Sequence, residues 1–269
     1  MNFGLIIIGD EILSGKRADK HLAKAIELLG ERGLQVAYAD YVGDDPERIT
    51  QTLQRAFASG DVVFSFGGIG ATPDDHTRQC AARALGLPLV LHPQAEALIY
   101  ERMQDVAREQ GLPYEPTRAD NQHRLNMGVF PEGAEIIANP YNKIPGFSCV
   151  GEGGGQVHFV PGFPVMAWPM VASVLDSRYA HLFVREAHLE RSVIVFGAME
   201  SALTPLMEAL EREHPIKVFS LPSVDHPEWG RHIELGVKGA PAAVEQAFRV
   251  LREALVRMEL SLGPDLVRS

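Results

Sequence analysis

The sequence is poor in cysteine, in basic charge and in long apolar runs, and each shortage excludes a class of protein. Its 269 residues include 2 cysteines, Cys80 and Cys149, which are too few for a disulfide framework and form no CxxC pair for zinc. Lysine and arginine number 25 against 35 acidic residues, and this balance argues against general binding to nucleic acid or anionic membranes. The apolar run at residues 5–8 is far shorter than a membrane span. We therefore expect a cytoplasmic protein that binds neither nucleic acid nor membrane.

Several familiar catalytic motifs are also missing. The stretch from Gly9 to Arg17 resembles a phosphate-binding loop, but its glycines are too far apart and Arg17 replaces the required serine or threonine. Gly68 and Gly70 begin a dinucleotide-binding pattern in which Pro73 stands at the third glycine position. There is no HExxH, no GxSxG and no metal-ligand spacing among the histidines. These absences exclude the simplest nucleotide, zinc and serine-hydrolase sites.

What is present is a regular alternation of strands and helices. An apolar run at residues 3–8 is typical of a strand that is buried on both faces. Further strands are predicted at 35–42 and 61–66, with helices at 18–32, 46–60 and 72–85. This order predicts an open α/β sheet with helices on both faces, in which ligands bind at the carboxyl ends of the strands.

The rest of the chain predicts an extension of this sheet and then a second domain. A helix at 93–110 is followed by an irregular crossing at 112–124, strands at 134–138 and 156–160, and a proline-glycine turn at 161–164 that leads into a helix. From residue 190 the pattern becomes β-α-β-β-α. We therefore predict two domains, at residues 1–175 and 186–262.

Three loops at one edge of the predicted sheet combine glycines with carboxylates. They are Gly9-Asp10-Glu11, Gly43-Asp44-Asp45 and the stretch 67–75. Glycines let backbone N–H groups approach an anion, and a helix beginning at Pro73 would add its positive end. Carboxylates repel phosphate unless a divalent cation lies between them, so Asp44, Asp74 and Asp75 are candidate ligands of Mg²⁺ or a similar ion.

Each of these residues also has a purely structural interpretation. Asp45 and Thr72 suit helix N-caps, while Asp74 and Asp75 would complement a helix dipole. Singly, the structural role is favoured for Asp45 and Asp74, but the coincidence of three such loops favours function for Asp44 and Asp75. For Arg78, two interpretations stay open, a solvent-facing helix residue and a phosphate contact. For Lys143, a phosphate contact is slightly favoured. Arg17 and Arg124 are interpreted as surface residues.

These blocks carry a resemblance to a known family. The stretches 9–15, 42–49 and 67–77 resemble, in the same order, the molybdopterin-binding (MoaB/Mog) domain in the version found at the N-terminus of CinA proteins, and the likeness extends over roughly residues 1–170. The tail resembles the small KH-like domain of CinA. The resemblance implies a three-layer α/β/α domain followed by a small α+β domain, and a chain without the CinA amidase domain.

The resemblance also implies a ligand and two chemistries. Asp44 and Asp75 match the acidic pair of the Mog enzymes, which adenylylate molybdopterin with ATP and Mg²⁺, and we assign them the catalytic role. In the CinA group, a related domain is associated with metal-dependent cleavage of the ADP-ribose pyrophosphate bond. The residues predicted to contact a phosphorylated small molecule are Gly9, Asp10, Glu11, Gly67, Gly68, Gly70, Thr72, Lys143, Pro161 and Gly162.

Three functions stay open at this point. The first is binding of molybdopterin or a related nucleotide diphosphate, and the second is a metal-dependent ADP-ribose pyrophosphatase. The third is a non-catalytic regulatory or assembly protein whose second domain dimerises, since relatives tend to associate. The sequence departs from the CinA pattern at Lys20, Ile144 and Val165, where the last position lacks a common acidic residue. If that acid holds metal, ligand binding without turnover is expected.

Overall fold

The structure is a computed structural model that describes residues 1–184 and 189–268, and the chain divides into two compact units. The first unit is Met1–Val184 and the second is Arg185–Ser269. The predicted start of the second domain, at residue 186, lies outside the described residues. Across the described ranges, no helix combines the length and the apolar character needed to cross a membrane.

The first unit is built on a six-stranded sheet. The strands of this unit, in the main sheet and in a smaller one, are β1 (Phe3–Ile8), β2 (Val36–Val42), β3 (Val62–Phe66), β4 (Leu89–Leu91), β5 (Val129–Pro131), β6 (Glu135–Ile137), β7 (Gly146–Val150) and β8 (Gln156–Val160). Its helices are α1 (Asp10–Leu13), α2 (His21–Gly30), α3 (Pro46–Ala58), α4 (Thr77–Leu85), α5 (Pro93–Glu109), α6 (Ala119–Arg124) and α7 (Pro164–Arg178). The main sheet has the order β2-β1-β3-β8-β7-β6, and β4 pairs with β5 in a separate ribbon.

Helices cover both faces of this sheet, which confirms the predicted three-layer architecture. Strands β2, β1, β3 and β8 run parallel, while β7 and β6 are antiparallel additions at one edge. Alternate residues of β1 point to opposite faces. Ile6 and Ile8 pack in one core cluster with side chains of α3, α4 and α5, and Leu5 and Ile7 pack in the other with α2 and α7. Every residue of β1 is buried because both faces are covered.

The predictions made from local sequence patterns are confirmed at the start of α3 and are wrong in part elsewhere. Asp45 caps α3 as predicted, since its side chain accepts a hydrogen bond from Arg48 N at 2.8 Å and Pro46 occupies the first helical position. The crossing at 112–124 is not wholly irregular, because α6 occupies its end, and a short 3-10 turn follows at Leu125–Gly128. Strand β7 was not predicted, since its residues continue directly from a proline-rich loop.

The second unit contains an antiparallel sheet with two helices packed against it. Its elements are β9 (Leu189–Phe196), α8 (Glu200–Glu213), β10 (Ile216–His226), β11 (Gly230–Gly239), α9 (Pro241–Arg257) and β12 (Ser261–Arg268), and the strand order is β10-β11-β9-β12. Apolar residues of both helices pack with alternate residues of β9 and β11 in one core. The β-α-β-β-α order is observed, and β12 extends it by a strand that the sequence analysis did not predict.

Candidate functional site

A cavity of about 500 Å³ lies where the loops that follow β1, β3 and β8 meet. These are the carboxyl ends of parallel strands, the position at which open α/β sheets bind ligands. Of the predicted contact residues, those lining the cavity are Gly9, Glu11, Gly67, Gly68, Gly70, Thr72, Pro161 and Gly162. The predicted catalytic and metal-binding residues Asp44, Asp74 and Asp75 line it as well. The topology therefore brings together residues from four separate segments of the sequence.

The glycine-rich loop, residues 67–75, is held by Thr77. Gly67 and Gly68 have φ angles of +99° and +66°, a left-handed backbone that favours glycine. Thr77 Oγ1 donates to Gly67 O at 3.1 Å, and Thr77 N donates to Gly68 O at 3.0 Å. A Cβ atom on Gly68 would lie 2.2 Å from Thr77 Oγ1, so a larger residue would break this arrangement. Sequence reasoning did not identify Thr77, although a hydroxyl residue close after the glycines was an available signal.

The prediction of a helix from Pro73 is wrong, because α4 begins at Thr77. Thr72 is not its N-cap. Instead Thr72 donates to Asp75 Oδ2 from its backbone N at 2.8 Å and from its Oγ1 at 2.5 Å, and Asp75 N donates to Thr72 O at 3.0 Å. These bonds close a tight turn and fix the Asp75 carboxylate beside Gly70, where an added Cβ would lie 2.6 Å from Oδ2. Asp74 and Asp75 therefore belong to this turn and not to the first turn of a helix.

Asp10 and Asp44 fix one another across two loops. Asp10 N donates to Asp44 Oδ2 at 2.9 Å, and Asp44 N donates to Asp10 Oδ1 at 3.1 Å. Asp44 lines the cavity, but the prediction that Asp10 contacts the ligand receives no support, because its carboxylate is engaged by the neighbouring loop. Burial raises the pKa of Asp44, and the negative charges of Asp10, Glu11 and Asp74 raise it further. A cation beside Asp44 would relieve this crowding.

The cations are placed differently from the predictions. Lys143 does not line the cavity, because its Nζ lies 2.8 Å from Asp105 Oδ2 and 3.3 Å from Glu101 Oε2 on α5. Hydrogen bonding to Asp105 raises the pKa of Lys143, which stabilises this pairing. Arg17 was interpreted as a surface residue but lines the cavity, with Nη1 3.6 Å from Glu11 Oε1. The sequence analysis could not predict the partners of Lys143, because they lie about 40 residues away in the sequence, on another element.

The charge of the lining is strongly acidic. Among the described residues that line the cavity, Glu11, Asp44, Asp74 and Asp75 supply carboxylates, whereas Arg17 alone supplies a lysine or arginine charge. No group of three His, Cys, Asp or Glu side chains is arranged to hold a metal within residues 1–184 and 189–268. Mg²⁺ commonly binds one or two carboxylates together with water and substrate phosphates. The donors present fit a cation that is completed by oxygens of the ligand.

The asparagine loop, residues 139–145, forms another part of the cavity wall. Asn139 is buried and donates from Nδ2 to Asn142 Oδ1 at 2.8 Å and to Ile144 O at 2.9 Å, while its Oδ1 accepts from Tyr141 N at 3.0 Å. This network places Ile144 and Pro145 against the cavity. Met127, Phe163 and Met166 extend the apolar surface, and Phe163 is 56% exposed. The sequence analysis recognised Ile144 only as a departure from a pattern, and the structure makes it part of this wall.

The turn at Pro161 and Gly162 is supported from behind by His21. The His21 ring is buried, stacks on Phe66 with ring centroids 4.5 Å apart, and shares a hydrogen bond of 3.1 Å between Nε2 and Gly162 O. Burial lowers the pKa of His21, and donation to this carbonyl requires a proton on Nε2. Val165, the other departure, is 53% exposed and does not line the cavity.

Comparison with known proteins places these loops in a family. A family model described as "Probable molybdopterin binding domain" matches residues 4–181. The crystal structure of the protein CinA, of unknown function, from Thermoplasma acidophilum superposes with a TM-score of 0.54 and 29% identity, covering 65% of this chain and 96% of that chain. Residues 4–181 contain the glycine-rich loop and the asparagine loop, so the cavity lies within the part of the chain that the family model matches.

Relatives of known sequence differ in how much of their length the chain covers. The protein TV0584 of Thermoplasma volcanium is 29% identical over 94% of this chain and 93% of its own length. A CinA-like protein of Myxococcus xanthus is 32% identical over 81% of this chain but 50% of its own length. For a CinA-like protein of an Anaeromyxobacter species, the share of its own length is 38%. The chain therefore spans half or less of these CinA-like relatives.

Proposed function

The chain belongs to the family of molybdopterin-binding domains, and from this premise we propose that its cavity binds a phosphorylated heterocycle, either a molybdopterin-like compound or a nucleotide diphosphate. The observation that carries the proposal is that the cavity lining combines polar and apolar groups. The glycine-rich loop supplies backbone groups and carboxylates, while Ile144, Phe163 and Met166 supply apolar surface. A flat ring packs against the apolar wall, and its phosphates lie at the glycine-rich loop.

A divalent cation is part of this proposal. Phosphate oxygens alone would be repelled by Glu11, Asp44, Asp74 and Asp75, and Arg17 offsets one of these charges. Mg²⁺ held by one or two of the carboxylates would supply the missing positive charge. Asp75 suits this role because its hydrogen bonds to Thr72 engage Oδ2 and hold the carboxylate in one orientation.

Thermal unfolding in the presence of ligand tests this proposal. The probes are a pterin, ADP-ribose and adenine nucleotides, each with and without Mg²⁺. A ligand that binds only the folded state stabilises it by RT ln(1 + [L]/Kd), so the unfolding temperature rises with the logarithm of the ligand concentration once this exceeds Kd. We expect such a concentration-dependent rise for at least one probe, and we expect it to be larger with Mg²⁺ and to be lost in Asp75→Asn. The absence of a concentration-dependent rise with every probe would contradict binding at this cavity.

Hydrolysis of a pyrophosphate bond is a second candidate, favoured by the fixed positions of Asp44 and Asp75 in one cavity. In this reaction water adds to one phosphorus of ADP-ribose, the bridging P–O bond breaks, and AMP and ribose 5-phosphate leave. A bound metal ion would polarise the phosphate oxygens and lower the pKa of the attacking water. In this reaction Asp44, whose pKa is raised, would accept the proton of that water.

Mass spectrometry of the products separates binding from turnover. The full chain is incubated with ADP-ribose and Mg²⁺, Mn²⁺ or Co²⁺, alongside Asp75→Asn. Formation of AMP and ribose 5-phosphate by the parent protein and its loss in the variant would support the hydrolase. Folded protein that binds ADP-ribose without forming either product would contradict it and leave the binding function.

A further inference from the structure

Arg78 is a buried arginine that forms no ion pair with a carboxylate among residues 1–184 and 189–268. It is 4% exposed, and within the described part of the chain its hydrogen bond runs from Nη2 to Gly70 O at 2.6 Å. Its Nε is buried and has no hydrogen-bond partner in the part of the chain that the structure describes. Guanidinium groups offer five N–H donors and are rarely this buried unless they are paired. Burial accordingly lowers the pKa of Arg78, and the carboxylate of Asp75 compensates only through space.

Arg78 is one of the residues that line a second cavity, of about 540 Å³. Ala71, Thr72 and Asp75 line both this cavity and the candidate site, so the glycine-rich loop separates the two. The second cavity also contacts Gln79 and Asn126, which can donate hydrogen bonds. On the first side of the loop carboxylates predominate, whereas on this side the one carboxylate in the lining, Asp75, is already bound by Thr72.

The loop and the buried cation are mechanically connected. Arg78 holds the carbonyl of Gly70, and His123 shares a hydrogen bond of 3.1 Å between Nε2 and Ala71 O. The segment that presents Asp75 to the candidate site is thus anchored by groups that line the second cavity. A ligand placed in the second cavity would therefore contact Arg78 and His123, which hold the loop, and not the side of the loop that presents carboxylates to the candidate site.

We infer that the second cavity is an anion site, distinct from the candidate site, that takes a phosphoryl group on the Arg78 guanidinium. A phosphate oxygen supplies the acceptor that the fold does not provide, and charge-assisted hydrogen bonds of this kind are strong when partly buried. Because the site has its own cation, it needs no divalent metal. The inference goes beyond the proposed function and does not depend on it.

Calorimetric titration of the full chain with inorganic phosphate, without divalent metal, tests this inference. We expect saturable binding with a Kd on the order of 1 mM or tighter. Arg78→Gln should weaken it at least tenfold. Arg17→Gln, which removes the cation of the candidate site, should leave it unchanged. Absence of saturable binding would overturn the inference, and so would binding that depends on Arg17 or on Mg²⁺, since either result would place the phosphate in the candidate site.

A second pair of variants avoids a buried residue that folding needs. Gln79 is exposed and lines the second cavity, so Gln79→Glu adds a repelling carboxylate there without disturbing the core. Gln54 is exposed on α3 and lines neither cavity, so Gln54→Glu controls for the change in net charge. We expect weaker phosphate binding by at least threefold in the first variant and unchanged binding in the second. Equal binding by both variants would overturn the site.

A parallel titration with AMP identifies the source of the phosphoryl group. If AMP binds more tightly than phosphate and shows the same loss in Arg78→Gln, the site takes the phosphate of a nucleotide. If AMP and phosphate bind equally with that loss, the site takes free phosphate. AMP binding that is insensitive to Arg78→Gln and requires Mg²⁺ belongs to the candidate site and counts against the inference.

Discussion

Two of the loops that line the candidate site, the glycine-rich loop and the asparagine loop, are held in place by different kinds of contact. The glycine-rich loop is fixed by its own backbone and acids, through left-handed glycines, Thr77 and the turn between Thr72 and Asp75. The asparagine loop is fixed by the buried amide of Asn139 and, outside the cavity, by the ion pair of Lys143 with Asp105. The first loop therefore presents charge to the ligand and the second presents apolar surface. A residue's position on a loop does not decide its role, because its partners decide which way it is turned.

The largest loss of stability should come from substitution of Gly68, because the glycine-rich loop can adopt its conformation only where this residue has no side chain. Gly68→Ala would bring a Cβ to 2.2 Å from Thr77 Oγ1 at a φ of +66°. We expect a loss of about 3 kcal/mol in the free energy of unfolding, from backbone strain and overpacking together, with loss of ligand binding. Urea unfolding measures the first effect and the ligand-dependent thermal shift the second.

Gly86 provides a matched control for that substitution. Its φ is +67°, and an added Cβ would meet nothing within 4 Å. Gly86→Ala should lose about 1 kcal/mol from backbone strain alone and should keep ligand binding. Equal losses in the two variants would show that Thr77 does not restrain the glycine-rich loop.

The second-largest loss of stability should come from substitution of Asn139 in the asparagine loop. Asn139→Ala removes three hydrogen bonds of a buried amide and leaves the carbonyl of Ile144 without its donor. We expect a loss of about 2 kcal/mol in the free energy of unfolding, and weaker ligand binding because the apolar wall moves. Asn139→Asp keeps the acceptor for Tyr141 but sets a carboxylate against Ile144 O, so at neutral pH it should unfold at least as easily. A variant of either kind with unchanged stability would contradict the assigned network.

A smaller effect of opposite sign should come from Asp44. Its pKa is raised in the folded protein, so ionisation of this carboxyl disfavours folding, and that loss develops as pH rises through the folded pKa. Asp44→Asn should therefore stabilise the ligand-free protein by about 0.5 kcal/mol at neutral pH. The gain should vanish below the ordinary pKa of aspartate, where both proteins are neutral at this position. Thermal unfolding across pH checks the trend, and a variant less stable at neutral pH would contradict it.

The smallest effect should come from Lys143. Its ammonium is exposed and paired with Glu101 and Asp105, away from the cavity. Exposed ion pairs contribute little to stability. Lys143→Gln should leave ligand affinity unchanged, whereas Arg17→Gln should reduce it, because Arg17 lines the candidate site. The two affinities measured side by side check this, and a stronger effect of Lys143→Gln would restore the role predicted from its position in the sequence.

Local patterns predicted the elements whose structure depends on nearby residues. The buried strand β1 follows from its unbroken apolar run, and the start of α3 follows from Asp45 and Pro46. The glycine-acid loops could be placed at one sheet edge because parallel strands share that edge. The coincidence of three such loops favoured a functional role for Asp44 and Asp75, and the resemblance to a family supplied the specific chemistry expected of them.

Other features could not be predicted because distant partners determine them. The start of α4 was misplaced because Thr72, Asp74 and Asp75 resemble a capped helix start, whereas Asp75 instead closes a turn onto Thr72. Strand β12 was missed because its glycine and proline suggest a loop, and a register shift between Leu262 and Asp265 absorbs them. No pattern in the sequence predicted that Arg78 would be buried.

Equilibrium titration with ADP-ribose and with a pterin, each with and without Mg²⁺, tests most directly whether the acidic loop recruits phosphate through a cation. We predict saturable binding of at least one probe that strengthens when Mg²⁺ is present and is lost in Asp75→Asn. Binding that ignores Mg²⁺ and persists in Asp75→Asn, or no saturable binding by the folded protein, would contradict the proposed role of the cavity.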